Sequence, residues 1–431
     1  MGFIKACRHH LARESKRMKR KSMVIKRRRR RDMCKSHKLM PEIPFDLVIE
    51  ILARLPAKSL MRFKSVSKVW SSLICSRTFT NRLIRVTSSA PRLYVTLSFL
   101  ENSDRKTKLL SSSFSPSSDI TTTMSSFVID QDLTIPAMKG YYFSHVFRGL
   151  MCFVKEPGVQ IYNTTTKQLV VLPDIEESNI LVEDHMNKRI MYCIGHDPVH
   201  DQYKVVCIVA RPGEGFGELR MWLTEYWVFI LEGNESSRWR KIACPSPHLP
   251  ITGILNTNGC MHYVAWIRVL DPMLVSFDFS SEEISMLQAP KDIRWFKSDP
   301  IEYYGRVALL DHFGLGREGT MNLWVMEDGE KNMWSKKTLV VHPSQMDIVN
   351  SISLRVEGTT RNNEVILVPQ NKNYTQTDQV IVESHDTSLL YFFLYDLQKN
   401  LMRKVEIKET PYQTTVWDVV GLDDVENFMY L

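Results

Sequence analysis

The sequence lacks an apolar run of about 18 residues, the length of a membrane-spanning helix. Its N-terminal segment also lacks the apolar core of a secretory signal peptide. The eight cysteines, at positions 7, 34, 75, 152, 193, 207, 244 and 260, form no CxxC pair. Such scattered cysteines are typical of reduced thiols. We therefore expect no membrane association and a location in the nucleus, the cytoplasm or both.

Signatures of enzymatic chemistry are missing or misplaced. No G-x-S-x-G occurs, and no serine lies near a plausible His–Asp pair. GLGREG at 314–319 matches a dinucleotide fingerprint, but a strand pattern follows it where that fingerprint requires a helix. Cys193, His196, His200 and Cys207 lack the tight paired spacing of structural zinc sites. We expect no catalysis, no metal and no cofactor.

Positive charge is confined to the N-terminus. The 431 residues carry a formal net charge of +8, but residues 1–38 contain 16 Lys and Arg against two acidic residues. This head is therefore +14, which leaves −6 for the rest of the chain. Its lack of apolar periodicity predicts disorder. The densest basic run consists of Lys26, Arg27, Arg28, Arg29, Arg30 and Arg31.

Three interpretations of this head, residues 1–39, remain open. It is a candidate nuclear-import signal. Alternatively it is a solvated tail, or untranslated sequence ahead of a start at Met40. Dense basic residues also bind nucleic acid through counterion release. Base stacking is disfavoured as its purpose, since no aromatic residue follows Phe3 in the head.

Residues 41–86 carry apolar side chains at helical spacing. The first stripe comprises Leu47, Val48, Ile51, Leu52 and Leu55. Pro44 suits the first turn of this helix and Pro56 its end. Ala57 to Lys64 predicts a second short helix. A third is marked by Val66, Val69, Trp70, Leu73 and Ile74. Because about 45 residues cannot bury so many large side chains alone, we expect a partner to complete the core.

This segment resembles an F-box, particularly the plant form, whose pattern is roughly L-P-x-D-L-x-x-E-I-L-x-R-L-P-x-K-S-L-x-R-F-K-x-V-x-K-x-W-x-x-L-I. The chain matches it without a gap, with Ile43 for the usual Leu and Ser67 for the usual Cys. The resemblance implies docking on the adaptor subunit of an SCF-type ligase. The implied adaptor-binding residues are Pro44, Leu47, Ile51, Leu52, Leu55, Pro56, Leu60, Val66 and Trp70. The pattern does not separate residues that contact the adaptor from those that stabilise the helices.

Beyond the helices the pattern changes to short β runs separated by turns. Residues 101–126 are rich in Ser and Thr, which predicts a loop within the start of this region at 87–139. Strands are predicted at 158–163, 202–210, 225–231, 260–267, 274–279, 306–311, 321–327, 363–370 and 389–397. Regular short strands favour an all-β domain.

A weak repeat favours a β-propeller over the alternative, a β-sandwich. In residues 161–173, 226–245 and 277–290, an aromatic-ended strand, a turn and a hydrophobic-Pro segment follow one another. Each predicts the outer hairpin of a blade. Most tryptophans fall inside strand patterns and are expected in the core. Trp295, in KDIRWFKSDP, is the strongest candidate for a recognition loop.

Residues 140–410 resemble the F-box-associated domain of plant F-box proteins, of its third type. The matching motifs, in family order, include FRGLMCF, IYNTTTKQLVVLP, GHDPVHDQYKVVCI, GILNTNGCMHYVAW and YFFLYDLQKNLMRKVEIK. Asn163–Thr164 replaces the common Asn-Pro, and His196 replaces a common aromatic residue. Residues 411–431 remain as a C-terminal segment. The predicted fold is α+β in separate domains, a small F-box bundle at 40–86 and a large all-β domain.

The two resemblances together imply a substrate-recognition subunit of an SCF-type cullin–RING ubiquitin ligase. Its partners are then the adaptor, through it the cullin and RING subunits, and an unidentified protein target. Three alternatives remain open: nucleic-acid binding by the head, a ligand-binding propeller, and an adaptor-bound protein without a degradation target. Nucleic-acid binding predicts salt-sensitive binding that depends on the head. A ligand-binding propeller predicts a concave polar site on the β domain. Measuring target turnover distinguishes a ligase receptor from an adaptor-bound protein without a degradation target.

Overall fold

The structure of the chain is a computed structural model. It describes residues 43–55, 57–76, 79, 82–83, 92–101, 104–113, 124–127, 131–133, 142–155, 158–182, 188–213, 221–231, 238–268, 271–360, 362–370, 391–407 and 418–424. The chain divides into two compact units, Met1–Leu55 and Pro56–Leu431. The basic head lies outside the described residues, and so does Pro56.

The first unit contains helix α1 (Phe45–Ala53). The Pro44 carbonyl accepts hydrogen bonds from the Leu47 and Val48 N–H groups, at 2.9 and 3.1 Å, and so begins the helix. The Asp46 carboxylate lies in the first turn, where the helix dipole favours negative charge. The helix ends at Ala53, before the proline that the sequence places as its end.

The second unit begins with α2 (Ala57–Lys64) and α3 (Lys68–Ile74), which lie in contact. The Ser67 hydroxyl accepts a hydrogen bond from the Trp70 N–H at 3.2 Å and caps α3. Serine is a strongly preferred N-cap residue, so the departure from the usual F-box cysteine supplies a cap. The Phe63 and Trp70 ring centroids lie 5.6 Å apart. The helices predicted from the apolar spacing are confirmed.

The described strands of this unit form six sheets. Five consist mainly of consecutive strands and are named blades 1 to 5. Blade 1 contains β5 (Tyr142–Phe147), β6 (Leu150–Lys155), β7 (Gly158–Asn163) and β8 (Leu169–Val171). Blade 2 contains β9 (Arg189–Asp197), β10 (Gln202–Pro212), β11 (Trp222–Ile230) and β12 (Arg240–Ile242). Blade 3 contains β13 (Leu249–Pro250), β14 (Leu255–Thr257), β15 (Cys260–Arg268), β16 (Asp271–Asp278) and β17 (Ile284–Gln288).

The later part of the chain forms the remaining sheets. Blade 4 contains β18 (Ser298–Tyr303), β19 (Arg306–Asp311), β20 (Thr320–Asp328) and β21 (Met333–Val340). Blade 5 contains β22 (Ser353–Thr359), β23 (Glu364–Gln370), β24 (Tyr391–Asp396) and β25 (Leu401–Ile407), with β3 (Met124–Phe127) parallel to β25. The closing sheet has the order β26 (Asp418–Asp424), β1 (Arg92–Glu101), β2 (Asp104–Ser113) and β4 (Gln131–Leu133).

Contacts between neighbouring sheets close into a ring. Strand β5 contacts β9, β9 contacts β15, β15 contacts β18, β18 contacts β22, β22 contacts β26, and β26 contacts β5. Radial repetition of small sheets around a ring is the architecture of a β-propeller. The predicted propeller is therefore confirmed, and the β-sandwich alternative is excluded. Every strand segment predicted from the sequence falls on a strand.

Strands β2 and β3 correct the loop predicted at residues 101–126. Residues 101–126 were expected to form a loop, but residues 104–113 form β2 and residues 124–127 form β3. Strand β2 pairs with β1 over ten residue pairs, and this ladder satisfies backbone groups that a polar loop leaves to water. Within the C-terminal segment 411–431, strand β26 pairs with β1 and so joins the two ends of the β region.

Each described hydrophobic core lies between two adjacent blades. One cluster joins blades 1 and 2 through side chains such as Ile161 and Trp227, and another joins blades 2 and 3 through Tyr226 and Phe277. Further clusters lie between blades 3 and 4 and between blades 4 and 5. Because successive side chains of a strand point to opposite faces, Tyr226 and Trp227 serve different cores.

A recurrent turn closes the outer hairpins. The side-chain oxygen of Asn163 accepts hydrogen bonds from the N–H groups two and three residues later, at 2.9 and 3.0 Å. Asp278 and Asp396 make the same pair of bonds in blades 3 and 5. Asx turns of this kind are favoured because the side chain mimics a backbone acceptor. In blade 3 the main hydrogen-bonded order is β13-β15-β16-β17, and these are counted as its first to fourth strands. The three segments predicted to be outer hairpins join the third and fourth strands of blades 1, 2 and 3.

The antiparallel strands give the ring two ends. The turn face carries the first-to-second and third-to-fourth strand connections. Its inner turns are linked, because the Asn258 side-chain amide donates to the Gly305 carbonyl at 2.9 Å and the Asn363 amide oxygen accepts from the Tyr304 N–H at 2.7 Å. The loop face carries the second-to-third and blade-to-blade connections. Its helical turns are α4 (Asn179–Val182), α5 (Leu315–Glu318), α6 (Met346–Ser351) and two 3-10 turns (Trp295–Lys297 and Pro343–Gln345).

Candidate functional site

Helix α1 presents apolar side chains to solvent. Leu47 and Ile51 lie one turn apart, and each is 53% exposed, whereas Leu52 is only 2% exposed. The predicted stripe therefore splits into a buried side and an exposed side. Ile43 and Phe45, just before and at the start of the helix, are also exposed. Exposed large hydrophobic residues at i and i+4 form one face of a helix.

The α2–α3 pair has the same property. Val66 and Val69 are 67% and 72% exposed, and Met61 and Phe63 are partly exposed. Leu60 is fully buried, so it stabilises the helices rather than forming a surface. Contiguous exposed apolar side chains on a soluble protein mark an interaction surface.

The structure thus sorts the predicted adaptor-binding residues. Those exposed are Pro44, Leu47, Ile51 and Val66; those half-buried are Leu55 and Trp70; those buried are Leu52 and Leu60. Pro56 lies outside the described residues, as do the import-signal residues Lys26 to Arg31. The predicted adaptor-binding set omits five exposed residues, Ile43, Phe45, Met61, Phe63 and Val69. Their signal was a large apolar side chain within or next to the predicted helices.

A second candidate surface lies on the loop face between blades 3 and 4. We name it the aromatic–arginine patch, and it consists of Arg294, Trp295, Phe296, Phe313 and Arg317. The rings of Trp295 and Phe296 lie edge to face at 5.4 Å, and those of Phe296 and Phe313 at 5.3 Å. The guanidinium carbons of Arg294 and Arg317 lie 4.4 and 5.4 Å from the centre of Phe313. Trp295, the predicted recognition residue, is part of this patch.

A buried ionic cluster connects blades 2 and 3. The Lys204 ammonium lies 2.9 Å from both the Asp197 and Glu282 carboxylates and donates to the Phe279 carbonyl at 2.6 Å. Burial opposes ionisation of Asp197, but hydrogen bonds from the His200 N–H and the Lys204 ammonium outweigh it. The pKa of the Asp197 carboxyl is consequently well below its ordinary value. Each charged group in this cluster has an oppositely charged or hydrogen-bonding partner. This is typical of a structural ion network rather than of a reactive group.

The residues considered for zinc binding have separate partners. The Cys193 thiol lies 3.3 Å from the Asn256 amide oxygen, whereas Cys207 belongs to the core between blades 1 and 2. His196 contacts Asp201 at 2.9 Å, and His200 contacts Asp197 at 2.8 Å. No group of three or more His, Cys, Asp or Glu side chains arranged for a metal occurs among the described residues.

Two further motifs have structural positions. GLGREG at 314–319 contains the four-residue helical turn α5 and leads directly into β20, so the strand expected after it is confirmed. His248 lies with its Nε2 2.9 Å from the Tyr226 hydroxyl and 2.7 Å from the Tyr263 hydroxyl. All three side chains are buried between blades 2 and 3.

In the part of the chain that the structure describes, no helix is long and apolar enough to cross a membrane.

Family comparisons agree with this architecture. The profile of the F-box domain matches residues 40–82, and that of the "F-box associated beta propeller domain" matches residues 94–430. The second match begins well before residue 140, the domain start predicted from the sequence, and it includes the closing sheet. The chain therefore belongs to the F-box proteins that carry an F-box associated β-propeller domain.

Its relatives in Arabidopsis thaliana are similar over nearly their whole length. The chain is 78% identical over 418 residues to an F-box/kelch-repeat protein, covering 96% of this chain and 97% of that protein. It is 60% identical over 410 residues to an F-box protein, covering 94% and 96%. Among solved structures, the six-bladed Aleuria aurantia lectin covers 79% of this chain and 97% of its own, with 8% identity and a TM-score of 0.36. That similarity is too low to carry functional information.

Proposed function

We propose that this chain is the substrate-recognition subunit of an SCF-type cullin–RING ubiquitin ligase. In this proposal the F-box helices bind the adaptor subunit, and the propeller binds a protein target. The observation that carries the proposal is the exposure of large apolar side chains on helices that match the F-box profile. F-box domains as a class bind such an adaptor, and an exposed apolar helix face is the chemistry that this binding requires.

Burial of these side chains supplies the driving force. Removing a valine, leucine or isoleucine side chain from water contributes about 1.5 to 3 kcal/mol. Leu47 and Ile51 on α1 and Val66 and Val69 on the α2–α3 pair are each more than half exposed, so each has much of this free energy to gain. Leu52 and Leu60 are already buried and contribute to helix stability instead.

The protein itself forms no bond in the proposed mechanism. Holding a target near the ubiquitin-charged conjugating enzyme converts an encounter between separate molecules into one within a complex. The gain is an effective concentration set by the geometry of the assembly. We infer that the chain is a non-catalytic subunit and that it acts in the nucleus, the cytoplasm or both, with the run Lys26 to Arg31 as the import signal.

Two exposed valines provide a matched test. Val66 belongs to the F-box and Val199 to the turn face of the propeller, and they are 67% and 72% exposed. We expect the tagged wild-type chain and Val199→Asp to retain the adaptor. Val66→Asp is expected to retain at least about tenfold less adaptor, because a charge facing an apolar interface is costly. Equal retention by the two variants contradicts the proposed docking surface, and absence of adaptor from the wild type contradicts the proposed function.

A further inference from the structure

The aromatic–arginine patch on the loop face holds two cations in a defined arrangement. Arg294 and Arg317 come from different connections, the first between blades 3 and 4 and the second within blade 4, yet both guanidinium groups lie over Phe313. Within the described part of the chain, neither guanidinium lies at ion-pair distance from a carboxylate. A guanidinium stacked on a ring keeps its N–H fork free for a planar anion.

The backbone beneath the patch is fixed. The Arg294 carbonyl accepts from the Lys297 N–H at 3.0 Å and from the Ser298 hydroxyl at 2.8 Å. The Lys297 carbonyl accepts from the His312 N–H at 3.0 Å, which joins the two connections. Below Trp295 lies the Trp266 ring, at 4.4 Å between centroids. The patch is therefore organised before any ligand arrives, which lowers the entropy cost of binding.

Charge and exposure indicate what it binds. Phe296 is 55% exposed, so an apolar group remains in water at the centre of the patch. Lys291 and Lys297 add to the two arginines, and the acidic residues near them in sequence are Asp292, Asp299, Asp311 and Glu318. Asp311 is buried and Asp299 lies 3.4 Å from the Nε2 atom of His312, so the exposed acidic residues are Asp292 and Glu318. Among the exposed side chains, Lys291, Arg294 and Arg317 outnumber Asp292 and Glu318, although the chain after residue 38 carries a net charge of −6. This local reversal of sign favours an acidic ligand.

We propose that the aromatic–arginine patch binds an acidic segment of the target protein. Carboxylates of the segment pair with Arg294 and Arg317, and an aromatic or aliphatic side chain of the segment packs on Phe296. Arginine and aromatic residues together are the usual energetic centres of protein interfaces. The inference rests on the proposed function, because it assigns the target-binding surface of a ligase receptor.

The test uses the full chain and two labelled probes. The first is a short peptide of glutamates around one tryptophan, and the second replaces its glutamates by lysines. Binding is followed by fluorescence anisotropy for wild type, R294Q/R317Q, Phe296→Ala and a control, Arg306→Gln. Arg306 is an exposed arginine of the same blade that is paired with Glu327. Adaptor retention is measured on the same preparations.

We expect saturable binding of the glutamate peptide alone, weakened at least about tenfold by R294Q/R317Q and several-fold by Phe296→Ala. Arg306→Gln is expected to bind as the wild type does. The proposal is overturned if wild type does not bind the peptide at up to about 1 mM, if R294Q/R317Q binds as tightly, or if an oligothymidine strand binds better. Loss of peptide binding with the adaptor retained rejects the patch alone. Peptide binding without adaptor retention rejects the ligase function and leaves the patch supported.

Discussion

The ammonium group of Lys204 lies 2.9 Å from the carboxylate of Asp197, and the two side chains are 4% and 0% exposed. The pair belongs to neighbouring strands of blade 2, and Glu282 extends it to blade 3. A buried pair contributes little relative to apolar residues, but removing one partner leaves an uncompensated charge in the interior. The propeller is consequently sensitive to either single substitution.

We predict that Lys204→Met or Asp197→Asn lowers the free energy of unfolding by about 3 to 5 kcal/mol. The measurement is urea denaturation followed by tryptophan fluorescence. The matched control is Lys399→Met, since Lys399 forms an ion pair with Asp396 but is 66% exposed and contributes less than about 1 kcal/mol. Equal effects at the buried and exposed pairs contradict this assignment.

Close approach of blades 2 and 3 leaves no free space for a side chain at Gly195. A Cβ atom at this position of β9 overlaps the ring of Phe279, which is itself fully buried against Phe277. Gly195→Ala is expected to cost about 1 to 3 kcal/mol, because the ring has no space into which it can move. Gly253→Ala is the control, since no atom lies within 4 Å of its Cβ position. The comparison is made by denaturation midpoints, and a Gly195→Ala midpoint equal to the control refutes the predicted overlap.

Two histidines with lowered pKa values set a pH dependence. Burial lowers the pKa of His262 to about 4 and that of His145 to about 4, below their unfolded value near 6.5. The unfolded chain therefore binds protons that the folded chain does not, and stability falls as the pH decreases from 6.5 towards 4. For His262 the loss is at most roughly 3 kcal/mol across that window.

Replacing His262 by glutamine removes one of these protons. The slope of unfolding free energy against pH between pH 6.5 and 4 should then decrease by up to about 1.4 kcal/mol per pH unit. Urea midpoints measured at several pH values provide this slope. An unchanged slope in His262→Gln contradicts the neutral, buried state of the imidazole.

Neighbouring residues of α1 are expected to behave differently. Ile51 is exposed and Leu52 is buried, although both belong to the same predicted stripe. We predict that Ile51→Asp keeps the thermal unfolding midpoint of the wild type and weakens adaptor binding by at least about tenfold. Leu52→Asp is expected to lower stability and binding together, since it introduces a charge where the side chain is buried. Retention of full adaptor affinity by Ile51→Asp contradicts an interface on that side of the helix.

Much of the fold could be predicted from the sequence, because its helices and strands are set by local sequence patterns. The helix at Ala57–Lys64 has the bounds expected from Leu60, Phe63 and the flanking residues. Strands such as Gly158–Asn163 and Arg306–Asp311 were equally predictable, since β-rich runs end at turn residues. Strand β2 was missed because its serines are typical of a loop. It pairs with β1 in a hairpin, and β1 in turn pairs with the distant β26, a non-local contact that the sequence pattern does not encode.

The candidate sites were only partly predictable. Helical periodicity identified Ile51 and Leu52 together, but which one faces water depends on packing that spacing does not encode. The sequence pointed to Trp295 through its basic neighbours. It gave no sign that Arg317, more than twenty residues away, lies over the same Phe313 ring as Arg294. Such juxtapositions arise only when connections of one end of the propeller come together.

The central claim is tested most directly by the composition of the assembled complex. Tagged full-length chain is purified from plant cells, and the amounts of adaptor, cullin and RING subunit are quantified beside those of Val66→Asp and Val199→Asp. We predict that all three subunits accompany the wild type and Val199→Asp, and that Val66→Asp loses them together. Adaptor without cullin or RING subunit on the wild-type chain contradicts a ligase receptor and indicates an adaptor-bound protein of another kind.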